Sequence, residues 1–211
     1  MVLTYYGKAC VKVGQGDTTI AFNPTAKEAK GASDKYPRFG ADVVLISRNE
    51  PLYNAAENME YAEKKPFVID GPGEYEVGGV YISGFGVEHE GKWNTIYVLT
   101  IDDIRVCHLG ALASATLPAD VIEQLGEVHM VFAPVWGEGV LSPAEAHKVS
   151  MGLEPSIIIP LHDGVTGPGS PLETFLKEAG AEKTEMIDKL TIKKKDLEGK
   201  EAEIVLLESV L

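Results

Sequence analysis

Phe67-Val68-Ile69-Asp70-Gly71-Pro72-Gly73-Glu74-Tyr75-Glu76-Val77 decides how the chain is read. A short apolar run meets a Gly-Pro-Gly break, and Glu74 to Val77 then alternates polar and apolar, the two-residue period of a half-buried strand. The same rhythm continues downstream, where Val80 to Ser83, Thr95 to Ile101 and Ile104 to Cys107 read as strands and Gly78-Gly79 as a turn. Upstream, Leu3 to Tyr6, Cys10 to Val13 and Thr18 to Phe22 read as an antiparallel start, with Gly14-Gln15-Gly16-Asp17 as a hairpin turn. Val43 to Ser47 is a continuous, mostly apolar run, which predicts a strand covered on both faces.

The second half changes rhythm. Ser142-Pro143-Ala144-Glu145 and Ser170-Pro171-Leu172-Glu173 each set a Ser N-cap before a Pro at the first helical position and a Glu placed for a capping box. Val128 to Pro134 and Ile157 to Pro160 read as buried strands between helices, and Glu203 to Leu207 as a terminal strand. No linker, repeat or low-complexity segment divides the chain, so residues 1–211 read as a single domain. A β-rich half followed by a βα-alternating half fits two sheets packed together and flanked by helices, an α/β (α+β) architecture.

Composition narrows the function. With 45% hydrophobic and 24% charged residues the chain can bury a core, which excludes disordered and fibrous classes. The formal net charge of -13 repels polyanions, so no nucleic-acid partner is expected. The basic run Lys193 to Lys195 is followed by Asp196, Glu198 and Glu201 and reads as a solvated face. Cys10 and Cys107 lie in β-like apolar runs and read as buried reduced thiols. The first ten residues lack a secretory pattern and no window approaches 18 apolar residues, so a cytoplasmic protein without a membrane partner is expected.

Tyr5-Tyr6-Gly7, the Phe67 to Val77 stretch, Asn94 to Val98, Arg105-Val106-Cys107-His108-Leu109-Gly110 and Ile159-Pro160-Leu161-His162 together make the sequence resemble a small, UlaG-like member of the metallo-β-lactamase-fold hydrolases. The resemblance runs over nearly the whole chain. It implies a four-layer αββα sandwich with an active site along one edge between the sheets, and a tendency to self-associate. Members that bind metal carry a His-x-His-x-Asp-His loop, an isolated His, an Asp after a Gly and a final His. These hold one or two Zn²⁺, Mn²⁺ or Fe ions and activate a hydroxide.

This chain departs from that pattern. Ser47-Arg48-Asn49-Glu50-Pro51-Leu52-Tyr53 puts Arg48 and Glu50 where two His belong, and Leu52 and Tyr53 where the Asp-His pair belongs. Ala111 stands where the Asp is expected, Lys8 where a His follows Tyr-Tyr-Gly, and Asn23-Pro24 replaces Asp-Pro. Only His89 and His162 match ligand positions. A guanidinium keeps its proton and cannot coordinate a cation, and Leu52 and Ala111 offer no lone pair, so a dinuclear site is not expected. Arg48, Glu50 and His89 are instead expected to form a hydrogen-bonded cluster in which the guanidinium replaces the cation. His108 reads as a supporting histidine, His129 and His147 as strand and helix-face residues, and Trp93 and the Trp136-Gly137-Glu138-Gly139 loop as bordering the site.

The leading expectation is a fold member whose metal site has degenerated and which serves as a non-catalytic binding or interaction module, with no metal or other cofactor and a small anion or a protein as partner. A second reading is a divergent hydrolase of a small ester, lactone or phosphoester with one weakly held Zn or Mn ion on Glu50, His89 and His162. A third is a small-anion sensor lined by Lys8, Arg48, His89 and His162. Phosphate-loop chemistry at Gly14-Gln15-Gly16 or Gly71-Pro72-Gly73 is not expected, because neither leads from a strand into a helix.

Overall fold

The Gly71-Pro72 break is where the chain passes from one sheet to the other. A computed structural model describes residues 1–27, 29, 35–136 and 139–211. Phe67–Ile69 (β5) is the edge of one sheet and Gly73–Val77 (β6) the edge of the second. The first sheet also contains β1 (Val2–Tyr5), β2 (Val11–Gln15), β3 (Thr18–Phe22) and β4 (Val43–Leu45). The second adds β7 (Val80–His89), β8 (Lys92–Ile101), β9 (Ile104–His108), β10 (Met130–Pro134) and β11 (Ile157–Leu161). Three helices, α1 (Ala119–Leu125), α2 (Pro143–Gly152) and α3 (Pro171–Glu178), lie between or after its last strands. The C-terminal strands are β12 (Met186–Ile187), β13 (Lys189–Thr191), β14 (Glu203–Ile204) and β15 (Leu206–Leu207). Among the described residues the sheet orders are β13-β1-β2-β3-β4-β5 and β14-β11-β10-β9-β8-β7-β6, with β12 paired to β15.

The main core lies between the two sheets. Leu3, Ile20, Phe22 and Leu45 from the first meet Tyr97, Leu99, Val106, Phe132 and Ile159 from the second, all fully buried. A second core forms on the outer face of the second sheet, where Val98, Cys107, Val131 and Ile158 are covered by Val121 and Leu125 of α1, Ala146 and Val149 of α2, and Leu172 and Phe175 of α3. Over the outer face of the first sheet, Ala21, Val44 and Ile46 pack under Ala41 and Met59, the latter from the 3₁₀ turn Ala56–Met59. The αββα layering is thus helical on one side and thin on the other among the described residues. β4 is buried at all three positions, as its unbroken apolar run requires.

Both Ser-Pro helix starts form as read. Ser142 Oγ accepts the Glu145 N–H at 3.4 Å while the Glu145 carboxylate accepts the Ser142 N–H at 3.0 Å, closing the capping box. Ser170 Oγ accepts the Glu173 N–H at 3.1 Å, but the Glu173 carboxylate turns to the Gly169 N–H, so that box stays half closed.

Several elements differ from the sequence reading: β8 begins at Lys92 rather than Thr95, and β4 ends at Leu45 rather than Ser47. β7 runs to His89 rather than stopping at Ser83, and pairs with β8 as far as His89 opposite Lys92. Gly84 and Gly86 disguise the strand, yet Gly84 is required there: a Cβ would meet the Tyr97 ring at 3.0 Å and Pro72 Cα at 3.1 Å. Glu88-His89-Glu90 is therefore the tip of a long hairpin rather than a loop after a short one. The terminal strand splits, because Glu203–Ile204 pairs with β11 and Leu206–Leu207 with β12. Helix α1 has no side-chain cap, which removes the signal that revealed α2 and α3.

Tyr97 ties the sheets at the end where the two edges meet. Its hydroxyl sits 3.0 Å from Ile46 O, 3.2 Å from Ile69 O and 3.3 Å from Gly71 O. Tyr97→Phe removes that donor and leaves buried carbonyls without it. It is expected to lower the urea-unfolding free energy by about 1–2 kcal/mol with an unchanged circular-dichroism spectrum.

Candidate functional site

The loops that leave β3, β4 and β9 converge on the start of β8, and buried polar side chains fix them to one another. Asn23, in a left-handed turn (φ 46°) just after β3, accepts the Ser47 N–H at 2.7 Å and donates to Ser47 Oγ at 3.1 Å. The Ser47 carbonyl accepts the Thr95 N–H of β8 at 2.8 Å. Asn94 reaches the loop after β9, donating to Leu109 O at 3.0 Å and accepting the Ala111 N–H at 2.7 Å. Gly110 (φ +64°) lies so close beneath these groups that a Cβ would stand 2.5 Å from Asn94 Oδ1 and 2.6 Å from Ser47.

Arg48 lies across this junction, only 9% exposed. Its Nη2 donates to Ala111 O at 2.9 Å and its Nε to Trp93 O at 3.3 Å, so one guanidinium joins the loop after β4, the loop after β9 and the start of β8. The Tyr53 ring lies 6.0 Å from Arg48 Cζ, and Tyr53 also packs on Trp136. Burial pushes the Tyr53 phenol up to about 12; Arg48 pulls it down and Glu50 pushes it further up, and it stays protonated at neutral pH. Ala111 is fully buried, and Leu52 is half-buried against the main core with its carbonyl accepting from the Thr25 hydroxyl at 3.0 Å.

The expected cluster of Arg48, Glu50 and His89 does not assemble among the described residues. The guanidinium finds backbone carbonyls instead, because the Gly110 turn brings Ala111 O within reach, while Glu50 meets Arg48 only through its backbone N–H to Arg48 O at 2.9 Å. His89 sits exposed at the hairpin tip and shares a cavity of about 190 Å³ with Arg48, Lys92 and Asn94. His162 is buried elsewhere. Its Nδ1 accepts the Gly164 N–H at 3.1 Å, which leaves Nε2 to donate to Leu207 O at 3.1 Å, and its ring meets Tyr5 edge-on. Lys8 borders a separate cavity of about 130 Å³ with Asp163 and Ser209. The four residues grouped from the sequence as an anion lining therefore divide between two places, Arg48 and His89 in one and Lys8 and His162 in the other. Glu50, His89 and His162 do not converge, and among the described residues no three His, Cys, Asp or Glu side chains form a group that could hold a metal ion. Gly137 and Glu138 of the Trp136 loop lie outside the described residues. Trp93 is 67% exposed on the hairpin beside the cavity.

Asn94 and Lys92 were not singled out by the sequence reading. Asn94 carried a usable signal, since an amide opening the apolar run Thr95 to Ile101 must find buried partners.

A profile of the β-lactamase superfamily domain matches residues 2–162. The chain belongs to the metallo-β-lactamase superfamily and has its α/β sandwich fold. It is 30% identical to a Thermotoga maritima protein classed as a Zn-dependent hydrolase of that superfamily, with a TM-score of 0.76 over 98% of each chain. A UPF0173 protein of Pyrococcus abyssi is 25% identical over 199 residues, 84% of this chain and 90% of the relative. A UPF0173 metal-dependent hydrolase of Natranaerobius thermophilus is 25% identical over 189 residues, 77% of this chain and 83% of the relative.

His108 supports the site from below. Its Nδ1 accepts the Gly110 N–H at 2.9 Å, so Nε2 donates to Ala9 O at 3.0 Å, and the ring stacks on Phe22. Burial lowers its pKa from 6.5 to about 4. The unfolded chain takes up a proton near 6.5 that the folded chain refuses until about 4, so this stabilisation is complete above 6.5 and lost as pH falls through 4. It amounts to about 3 kcal/mol. Burial shifts His162 in the same direction. Unfolding free energy measured from pH 7.5 to 4.5 is expected to fall, and His108→Gln, which keeps one donor and one acceptor, is expected to flatten the slope. Gly110→Ala, by contrast, is expected to abolish soluble expression or cost more than about 3 kcal/mol at every pH.

Proposed function

We propose that this chain is a metallo-β-lactamase-fold binding module rather than a hydrolase, with the Arg48 guanidinium occupying the role that a divalent cation plays in metal-bearing relatives. The observation that carries the reading is the pair of hydrogen bonds from Arg48 to Ala111 O and Trp93 O. A guanidinium fixed between the loop after β4 and the loop after β9 holds those loops together and repels a second cation. The side chains around it do not fit a divalent centre. Leu52 and Ala111 have no side-chain lone pair, the Tyr53 phenol stays protonated, and His162 spends both ring nitrogens on backbone groups.

The names of the Thermotoga and Natranaerobius relatives favour the competing reading, a hydrolase with one Zn or Mn ion on Glu50, His89 and His162. For that set to close, His162 has to give up its bond to Leu207 O or to the Gly164 N–H, and the exposed hairpin tip has to bring His89 inward. Cytoplasmic residence belongs to the proposal. Two buried free cysteines support it, and no helix among the described residues is long and apolar enough to cross a membrane.

The test is metal content. Untagged protein equilibrated with zinc and manganese and freed of excess ion is expected to carry well under one ion per chain by mass spectrometry. It is also expected to show the same thermal midpoint with and without EDTA. One tightly held ion per chain, accompanied by EDTA-sensitive esterase, lactonase or phosphodiesterase turnover, would establish the hydrolase instead.

A further inference from the structure

The Arg48 charge is buried against two neutral carbonyls, and no carboxylate forms an ion pair with it among the described residues. A buried cation without a counter-ion is costly. A guanidinium has five N–H donors in a planar fork, and the two recorded bonds use Nε and one proton of Nη2. Arg48 borders the cavity of about 190 Å³, where Lys92 adds a second positive charge and Val87, Leu112 and Leu117 supply apolar lining. Among the described residues the one carboxylate on that lining, Glu88, accepts the Gly91 N–H at the hairpin turn. The lining therefore combines an incompletely neutralised guanidinium with a small apolar surface.

We propose that this cavity binds a small organic carboxylate with a short apolar tail, its carboxylate on Arg48 and Lys92 and its tail against Val87, Leu112 and Leu117. The proposal rests on the reading of Arg48 as a fixed cation in a metal-free site. A planar carboxylate matches the fork of a guanidinium, and the apolar lining favours an acid with a few carbons over a bare inorganic ion. The volume sets the size. It falls below the roughly 300–1,000 Å³ of sites for drug-sized ligands, so an acid of about five carbons is the fitting probe.

The experiment titrates pentanoate into the full chain after EDTA dialysis, read by calorimetry and by emission of the exposed Trp93, whose carbonyl Arg48 holds. Saturable binding is expected. Pentanamide, with the same tail and no charge, is expected to give none, and inorganic phosphate is expected to bind more weakly. Lys92→Glu, at an exposed position, is expected to weaken pentanoate binding about threefold or more. Ala113→Phe, which adds bulk on the cavity lining, is expected to abolish it. Arg48→Gln is expected to weaken it at least about tenfold.

The proposal is overturned if pentanoate does not saturate, if pentanamide matches it, if phosphate binds more tightly, or if Lys92→Glu and Ala113→Phe leave binding unchanged. Metal-free protein that ignores pentanoate overturns this inference alone. Pentanoate binding that appears only after stoichiometric zinc loading overturns both this inference and the function proposed above.

Discussion

The hydrogen bonds from the Arg48 guanidinium to Ala111 O and Trp93 O join the loops that follow β4 and β9 to the start of β8, and so link the two sheets. Ser47 and Arg48 follow β4 in the first sheet, while Trp93 belongs to β8 and Ala111 follows β9 in the second. A bond to a charged donor contributes about 1.5–3 kcal/mol where both partners stay satisfied. Losing the donor costs more than that gain, because the Ala111 carbonyl it leaves is buried. The constraint is reciprocal: the loops position Arg48, and Arg48 holds the loops.

Geometry beneath the guanidinium makes this possible. The Gly110 turn directs the Ala111 carbonyl toward Arg48, and Asn94 pins that turn from the other side through Leu109 O and the Ala111 N–H. Asn23 performs the same service for Ser47. Two amides and one glycine therefore set the place of a charge, and the apolar core between the sheets sets the place of the amides. His108 closes the base of the arrangement as a neutral ring, since its Nδ1 must accept from Gly110 for the turn to hold. Polar groups this enclosed are specific because each has one geometry in which it is satisfied.

Much of the architecture was legible because strands and capped helices leave local marks. Phe67–Ile69 and Thr18–Phe22 fall where their apolar runs placed them, and both Ser-Pro starts cap helices. The far half of β7 is hidden because Gly84 and Gly86 look like breakers, whereas Gly84 lets Tyr97 and Pro72 approach the strand. Helix α1 was hidden by its missing cap. At the site, the resemblance grouped Arg48, Glu50, Leu52, Tyr53, His89, Ala111 and His162; Arg48 bonds to Ala111 O and lies 6.0 Å from the Tyr53 ring, whereas His162 is buried elsewhere, bonded to Leu207 O and the Gly164 N–H. It could not name the partners of Arg48 or of the His162 ring, because both bond to backbone atoms. A carbonyl is present at every residue and leaves no trace in the sequence. The expected hydrogen-bonded cluster of Arg48 and Glu50 does not form for that reason, the guanidinium taking Ala111 O and Trp93 O instead.

A crystal structure grown in excess zinc, with data collected on both sides of the zinc absorption edge, tests the central claim most directly. The account predicts Arg48 Nη2 within hydrogen-bond distance of Ala111 O and no anomalous peak between the loops after β4 and β9. A zinc peak in that space, with the guanidinium swung away and His89 and His162 turned toward the ion, would contradict it.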